Sequence, residues 1–173
     1  MKTGTSVYFR VALLTILILV LVVSMFRPQS TASAAAILTI NPLTWNIIGL
    51  DSNNVNVGPN NFPVGARVCN TGDAVATNVI SNFIWDDGAP TDPYINLRSG
   101  SLSSLSVPSL AIGACTDFYY EVTVTRNPAA YDNIRRYHIR ATADTLGVVS
   151  TPTPRELYVE HLISQNRNTV TDV

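Results

Sequence analysis

The segment Thr116–Thr125 (TDFYYEVTVT) alternates apolar and polar residues without a break. Its apolar members are Phe118, Tyr120, Val122 and Val124, and the residues between them are Asp117, Tyr119, Glu121 and Thr123. Successive side chains of a strand point to opposite faces, so this pattern predicts a β-strand with one face in a core and the other in water. A helix would scatter the same apolar residues around its surface.

After residue 36 the sequence consists of short segments typical of β-strands. Its apolar runs are separated by Gly, Pro, Asn and Asp, and no stretch of ten or more residues keeps apolar residues at helical spacing. We therefore predict an all-β fold, an immunoglobulin-like antiparallel β-sandwich of about seven to eight strands. The predicted strands are Ile37–Ile40, Trp45–Leu50, Ala66–Asn70, Ala76–Trp85, Ile95–Leu97, Thr116–Thr125, Arg136–Ala143 and Leu157–Ile163.

The first 34 residues have the layout of a secretory signal peptide. Lys2 and Arg10 supply a positive n-region, Val11–Phe26 is an uncharged apolar run of sixteen residues, and Ala32-Ser33-Ala34 is an A-x-A cleavage site. A spanning helix needs roughly 20 apolar residues, with ~17 as the lower limit, so the run is marginal as a permanent anchor. We expect a cleaved signal-peptide helix, with an uncleaved, membrane-anchoring N-terminal helix as the alternative.

Three segments follow from this layout. Residues 1–34 form the signal peptide, residues 35–154 the sandwich, and residues 155–173 a C-terminal strand with a polar tail. Thr151–Pro154 (TPTP) forms a stiff, extended connector before the last strand. Two alternatives are open for that strand: it completes the sandwich, or it stands apart as an edge that pairs with another chain.

The chain beyond the leader is mildly acidic. Lys2 is the only lysine, and residues 35–173 carry eight arginines against twelve acidic residues, a net charge of −4. Nucleic-acid affinity comes mainly from cations set against phosphates, so we expect no nucleic-acid partner. Because only 13% of the chain is charged, the predicted surface is neutral and polar, as is usual for exported β proteins.

Two turn motifs resemble a known family. Asn70–Val79 (NTGDAVATNV) is followed about forty residues on by Leu110–Thr116 (LAIGACT) and then by the alternating strand Phe118–Val124. This arrangement resembles the "conserved repeat domain" of bacterial and archaeal surface proteins over roughly Val64–Ala143. The resemblance implies an immunoglobulin-like module of unknown function in an extracellular setting, and it brings no catalytic residues. The chain departs from the family in its cysteine pair and in carrying the module once, not in tandem.

The chain has two cysteines, Cys69 and Cys115. In an exported chain their simplest state is a disulfide, which could stabilise the fold by about 3 to 4.5 kcal/mol on the chain-entropy argument. Cys69 follows the inward-facing Val68 and therefore points to the opposite, outer face. Cys115 lies two residues before Asp117 and so shares its outward-facing side of the strand. We therefore predict a bridge on the outer face of one sheet, between neighbouring strands. A redox-active or metal-binding pair is the alternative, although no C-x-x-C spacing supports it.

Acidic residues concentrate in the predicted loop Asp86–Pro93 (DDGAPTDP). Asp86, Asp87 and Asp92 offer hard oxygen ligands of the kind that calcium takes. Their spacing matches no known calcium loop, and Asp and Gly are also the residues that ordinary β-turns prefer. We expect plain turn chemistry and no cofactor, with a calcium site as the alternative.

Tyr94 and Tyr119 are the predicted exposed aromatic residues. Trp85 and Tyr120, in contrast, share the phase of core residues. Amphipathic rings can stack on sugars, so Tyr94 and Tyr119 are candidates for glycan binding. Clustering of these two tyrosines with Asp86 would favour a carbohydrate-binding module, whereas scattered positions would favour a structural one.

Nothing in the sequence indicates a catalytic centre. His138 and His161 lack metal-ligand spacing, and no G-x-S-x-G motif is present. We expect no enzyme but an exported, non-catalytic structural or interaction module of the cell surface or extracellular space, with other surface proteins or glycans as partners. The alternative is an extracellular carbohydrate-binding module assisted by calcium. Membrane contact is expected only through an uncleaved N-terminal segment.

Overall fold

The structure, a computed structural model, describes residues 12–19 and 33–163. Residues 12–19 are helical and their side chains are exposed. Within the described ranges, no helix has the length and apolar character needed to cross a membrane. The predicted n-region, Ala32 of the predicted cleavage site and residues 164–173 of the predicted tail lie outside the described residues.

Ten strands and one 3₁₀ turn form between residues 33 and 163. The strands are β1 Leu38–Pro42, β2 Ile47–Asp51, β3 Asn61–Asn70, β4 Ala76–Trp85, β5 Ile95–Leu97, β6 Ser104–Leu110, β7 Cys115–Val124, β8 Ile134–Thr142, β9 Val149–Ser150 and β10 Arg155–Leu162, and the 3₁₀ turn is Pro128–Ala130. Every predicted strand is present. β3 begins five residues earlier than predicted.

The strands form two sheets packed as a sandwich. The four-stranded sheet has the order β1-β3-β7-β5, and the six-stranded sheet has the order β2-β10-β8-β4-β6, with β9 also paired to β8. The first order matches the A-B-E-D sheet of an immunoglobulin domain, and β10-β8-β4 matches its G-F-C sheet. The predicted all-β sandwich is confirmed.

The N-terminal strand is divided between the two sheets. β1 pairs with β3 in the smaller sheet, and after residues 43–46 the chain enters β2 at the edge of the larger sheet. Thr44 and Asn46 secure this crossing: the Thr44 hydroxyl accepts from the Gly65 amide at 3.1 Å, and the Asn46 side-chain oxygen accepts from the Tyr137 hydroxyl at 3.0 Å. One continuous segment thereby closes an edge of each layer.

The predicted antiparallel arrangement is wrong for one strand pair. β2 runs parallel to β10, with Ile48 opposite Val159 and Leu50 opposite His161. β10 also pairs antiparallel with β8, so it lies inside the six-stranded sheet and completes the sandwich. The sandwich therefore extends past the predicted boundary at residue 154.

Two strands were missing from the sequence prediction. β6 (SLSVPSL) is rich in serine and contains Pro108, and it pairs only with β4 at the sheet edge. An edge strand needs few apolar side chains and tolerates proline, so it lacks the pattern of a buried strand. β9 has two residues and gives no periodic signal.

The core lies between the inner faces of the two sheets, and strand alternation decides its membership. In β7 the four predicted inward residues are buried, and in β8 Tyr137, Ile139 and Ala141 are buried likewise. The Tyr120 hydroxyl donates to Ser81 Oγ at 2.7 Å, which joins the two sheets across the core. Burial raises the pKa of Tyr120 above its usual value, so the hydroxyl stays protonated as a donor.

The disulfide joins Cys69 of β3 to Cys115 of β7, which face each other directly in adjacent antiparallel strands. Their neighbours Val68 and Asn70 are buried, while Cys115 is exposed and Cys69 partly so. The bridge therefore lies on the outer face of the four-stranded sheet, as the parity of the two residues predicted.

The two turn motifs that carry the family resemblance meet at one end of the sandwich. The Asn70 side chain is buried: its amide nitrogen donates to the carbonyls of Ala74 and Leu110 at 2.7 and 3.1 Å, and its oxygen accepts from the amides of Ile37 and Gly72 at 3.3 and 3.1 Å. Asn70 thus ties the turn after β3 to the end of β6 and to the segment before β1.

Candidate functional site

A cleft of about 750 Å³ opens between the loop after β4, the start of β8 and the entry to β10. Its walls include all three carboxylates of the predicted acidic loop together with two arginines and one glutamate: Asp86, Asp87, Asp92, Arg135, Arg136 and Glu156. The loop begins because the Asp-Gly sequence turns the chain after Trp85, with Gly88 at φ +68°. The cleft itself was not predicted from the sequence, which indicated only the acidic loop that forms one of its walls.

Arg135 forms the floor of this cleft, with its side chain only 2% exposed. Its guanidinium donates to both carboxylate oxygens of Asp87 at 2.9 and 3.3 Å. It also donates to the carbonyls of Ile95 and Ala89, each at 2.7 Å, and to Asn96 Oδ1 at 3.1 Å. All donor directions of the planar fork are used, which is the condition under which a buried arginine is tolerated.

An aromatic ring completes the Arg135 pocket. The guanidinium carbon lies 4.0 Å from the centroid of the Trp85 ring, at cation–π distance. Trp85 in turn packs edge-on against Phe83, with ring centroids 4.7 Å apart. Because Arg135 contacts both flanks of the 86–96 loop, it fixes the shape of the cleft from below.

The three loop carboxylates are directed to three different partners. Asp87 pairs with Arg135, and these hydrogen bonds lower the pKa of the Asp87 carboxyl below its usual value. Asp86 Oδ1 lies 2.5 Å from His138 Nδ1. Asp92 Oδ1 accepts from the amides of Tyr94 and Ile95 at 2.8 and 2.9 Å, as an aspartate at the start of a turn does.

The positions of these carboxylates bear on the alternative prediction of a calcium site in this loop. Among residues 12–19 and 33–163, no group of three or more His, Cys, Asp or Glu side chains is arranged to hold a metal ion. Asp86, Asp87 and Asp92 line one cleft, yet they do not converge on a common point. Turn contacts account for Asp92 and for the hydrogen bond that Asp87 accepts from the Ala89 amide, whereas Asp87 and Asp86 also pair with Arg135 and His138.

The rim of the cleft carries an exposed ion pair. Arg136 Nε donates to Glu156 Oε1 at 2.7 Å, linking β8 to β10, and both side chains are largely open to solvent. Such pairs are worth little to stability and reorganise readily, so this is the part of the cleft that could exchange an internal partner for a ligand.

The two tyrosines that were predicted to be exposed are far apart, and the prediction is wrong for Tyr94, which is partly buried and packs against the core, whereas Tyr119 is exposed. Tyr119 packs its ring over Gly65 of β3, where an added Cβ would lie 2.5 Å from the ring. The Tyr94 carbonyl accepts from the Thr125 amide, six residues further along β7. At about 3.3 Å per residue the two backbones are separated by roughly 20 Å. They do not form one stacking platform, and only Tyr94 lies on the loop that borders the cleft.

The histidines lie apart from each other. His138 pairs with Asp86 beside the cleft, whereas His161 stacks on Tyr131, with ring centroids 3.7 Å apart, and lies 3.9 Å from Asp132. Each therefore has a local structural partner.

Arg135 is the residue that sequence reasoning missed. The predicted strand began one residue later, at Arg136, so Arg135 was assigned no face. Its available signal was parity: it shares the inward phase of Tyr137 and Ile139. An arginine at an inward position must be paired, and the nearest acidic segment was the 86–92 loop.

Fold and cleft together define a disulfide-braced β-sandwich module with an acidic cleft at one end of the larger sheet. No family model matches the chain, and no curated protein matches it. Solved structures that are similar to it include the secreted serine protease VesC from Vibrio cholerae, with 14% identity, a TM-score of 0.40, and coverage of 71% of this chain and 22% of that one.

Two further structures give likenesses of the same order. A family 123 glycoside hydrolase from Clostridium perfringens has 14% identity and a TM-score of 0.39 over 73% of this chain and 28% of that one. The cupredoxin domain of amoB from Nitrosocaldus yellowstonii has 8% identity and a TM-score of 0.37 over 83% of this chain and 96% of that one. The chain spans about a quarter of the length of the protease and the hydrolase.

Proposed function

We propose that the protein is an exported, non-catalytic structural or interaction module of the cell surface or extracellular space. The observation that carries this proposal is the Cys69–Cys115 disulfide on the outer face of the smaller sheet. Disulfides persist in oxidising compartments and are rare in the cytosol. The signal-peptide layout of residues 1–34 and the resemblance to the conserved repeat domain support the same setting.

The contacts in the cleft support a structural role for its charged residues. The carboxylate of Asp87 is held by Arg135, that of Asp86 by His138, and that of Glu156 by Arg136. The Asp86 and Asp87 carboxylates are engaged with partners inside the fold, whereas the Arg136–Glu156 pair lies at the solvent-exposed rim. Their arrangement serves to fix a loop and two strands.

The test is export of the full chain in a bacterial host. We expect the protein outside the cytoplasm, with a mass lower by two hydrogens before reduction than after it. The matched control is Leu17→Arg, which interrupts the apolar run of the leader and should retain the chain in the cytoplasm with free thiols. Recovery of the unchanged chain in the cytoplasm with both thiols free would overturn the proposal.

A second candidate function, an extracellular carbohydrate-binding module, is favoured by one observation. The predicted ligand residues Asp86, Asp87 and Asp92 do line a single cleft, beside the exchangeable Arg136–Glu156 pair. Hydroxyl-rich ligands are held by such carboxylate and guanidinium groups. Tyr94, which follows the same loop, is partly buried against the core and does not line the cleft, so the contacts to a ligand would come from the charged groups.

Glycan-array binding with and without 1 mM calcium tests this candidate. Binding that is lost in Asp86→Asn, and retained in the control Asp144→Asn outside the cleft, would support it. An array without signal in either condition, together with no calcium heat signal in calorimetry, would eliminate it and leave the structural role.

A further inference from the structure

The segment before β1 is held against the turn that follows β3. The Ala35 amide nitrogen donates to Asp73 Oδ1 at 2.6 Å, and the Asp73 amide donates back to the Ala35 carbonyl at 3.0 Å. Two residues earlier in the turn, the Thr71 amide donates to the Ile37 carbonyl at 2.8 Å. These bonds extend the β1–β3 ladder past its last strand pair and bring the chain to a defined position at Ala35.

Gly72 makes this close approach feasible. A Cβ at this position would lie 2.2 Å from the Ala35 carbonyl oxygen and 2.5 Å from the Ile37 nitrogen, both of them backbone atoms. The Asn-Thr-Gly-Asp turn therefore has a shape and a carboxylate that fit residues 35–37. Ser33 and Ala34, which precede this contact, are exposed.

The position of this contact coincides with the predicted cleavage site. Ala32-Ser33-Ala34 is the A-x-A sequence, and cleavage after it hydrolyses the Ala34–Ala35 peptide bond. Water adds across that bond: the carboxylate stays on Ala34, and the amine stays on Ala35. The nitrogen that contacts Asp73 as a neutral amide in the full chain thereby becomes a primary amine, which is largely protonated at neutral pH.

We propose that Asp73 is the docking site for the processed N-terminus, and that removal of the leader converts the Ala35–Asp73 hydrogen bond into an ion pair. This inference rests on the proposed export. An ammonium–carboxylate bond is charge-assisted and stronger than the amide–carboxylate bond that it replaces. The new terminus would be retained on the exposed turn after β3, where the ion pair slows its reaction with amine-reactive reagents.

The composition of the chain provides a selective probe. Lys2 is its only lysine, so a chain that starts at Ala35 has a single primary amine, its own N-terminus. The unprocessed chain has two, at Met1 and Lys2. The number of acetyl groups added by a limited amine-acylating reagent therefore reports processing, and the rate of addition reports docking.

The experiment compares exported wild-type protein with Asp73→Asn, Asp73→Glu and the control Asp132→Asn, which removes an exposed carboxylate before β8. Intact mass first locates the N-terminus, and acylation at pH 7 is then followed by mass spectrometry. We expect one acyl group in each protein, added about threefold faster in Asp73→Asn, a factor typical of an exposed ion pair. Asp73→Glu, which keeps the charge, and Asp132→Asn should react at rates close to that of the wild type.

Each other outcome refutes a distinct statement. Retention of the unchanged chain in the cytoplasm overturns the proposed export and this inference with it. Export with a first residue other than Ala35 overturns only the inference about the terminus. Processing at Ala35 with equal acylation rates in wild type and Asp73→Asn overturns the docking alone, provided that the disulfide mass shows both proteins to be folded.

Discussion

Replacement of Arg135 by methionine removes a buried cation while keeping a side chain of similar length. The guanidinium makes five hydrogen bonds. Two of them go to the Ile95 and Ala89 carbonyls, which accept from no other side chain among the described residues. A buried polar group left unsatisfied costs about 1 to 3 kcal/mol, and the substitution strands two carbonyls, whereas the Asp87 carboxylate is 41% exposed and regains water. We expect Arg135→Met to lower the free energy of unfolding by about 3 to 5 kcal/mol.

The matched control is Arg67→Met. Arg67 also holds an aspartate, Asp117, through two hydrogen bonds of 2.7 and 2.8 Å, but its side chain is 50% exposed against 2% for Arg135. Water replaces the lost contacts there, so we expect a much smaller loss of stability than in Arg135→Met. Urea unfolding of the oxidised protein measures the free energy of unfolding of both variants. In thermal unfolding, the Tm of Arg135→Met should fall by roughly 10 to 20 °C. Equal destabilisation of the two variants would refute the argument that burial sets the difference.

Three further changes have defined outcomes. Replacing Cys69 and Cys115 together by serine should lower the free energy of unfolding by up to about 4 kcal/mol, because the bridge closes a loop of 46 residues. Urea unfolding measures this loss, and an unchanged midpoint would contradict the prediction. The Arg135 contact lowers the pKa of Asp87 in the folded state, so this contact stabilises the fold fully above the unfolded pKa of about 3.9 and is lost as pH falls through the folded value. The difference in free energy of unfolding between wild type and Asp87→Asn should therefore be full at pH 6 and shrink below about pH 4. Tyr120→Phe should cost about 1 to 2 kcal/mol by thermal unfolding, since it leaves the buried serine on β4 without its partner, and a neutral effect would show that this hydroxyl pair does not join the sheets.

Strand alternation made much of the fold predictable. Phe118 to Val124 follow a period of two, which fixes both the strand and its buried face, and the same parity placed Cys69 and Cys115 on an outer face. These features depend on local geometry alone. The parallel pairing of β2 with β10 depends on which distant strands become neighbours, and no local pattern encodes that choice.

The candidate site was predictable only in part. The Asp86–Pro93 loop was evident from its composition, because Asp, Gly and Pro break strands. Its organisation around Arg135 was not, since arginine is normally a surface residue and its burial becomes favourable only once the Asp87 carboxylate and two loop carbonyls converge on it. The separation of Tyr94 from Tyr119 likewise required the register of β5 and β7.

The parallel pairing of β2 and β10 has a consequence for mechanical load. The chain passes through β1, which is paired with β3, before it enters β2, and it leaves the sandwich through β10. Once β1 has separated from β3, tension along the chain pulls β2 and β10 in opposite directions along their common axis. The hydrogen bonds between these strands then lie across the direction of pull and resist together, instead of opening one after another as they would in a hairpin pulled apart from its end. The parallel pair is therefore loaded in shear, whereas an antiparallel hairpin at the same edge would be loaded one hydrogen bond at a time.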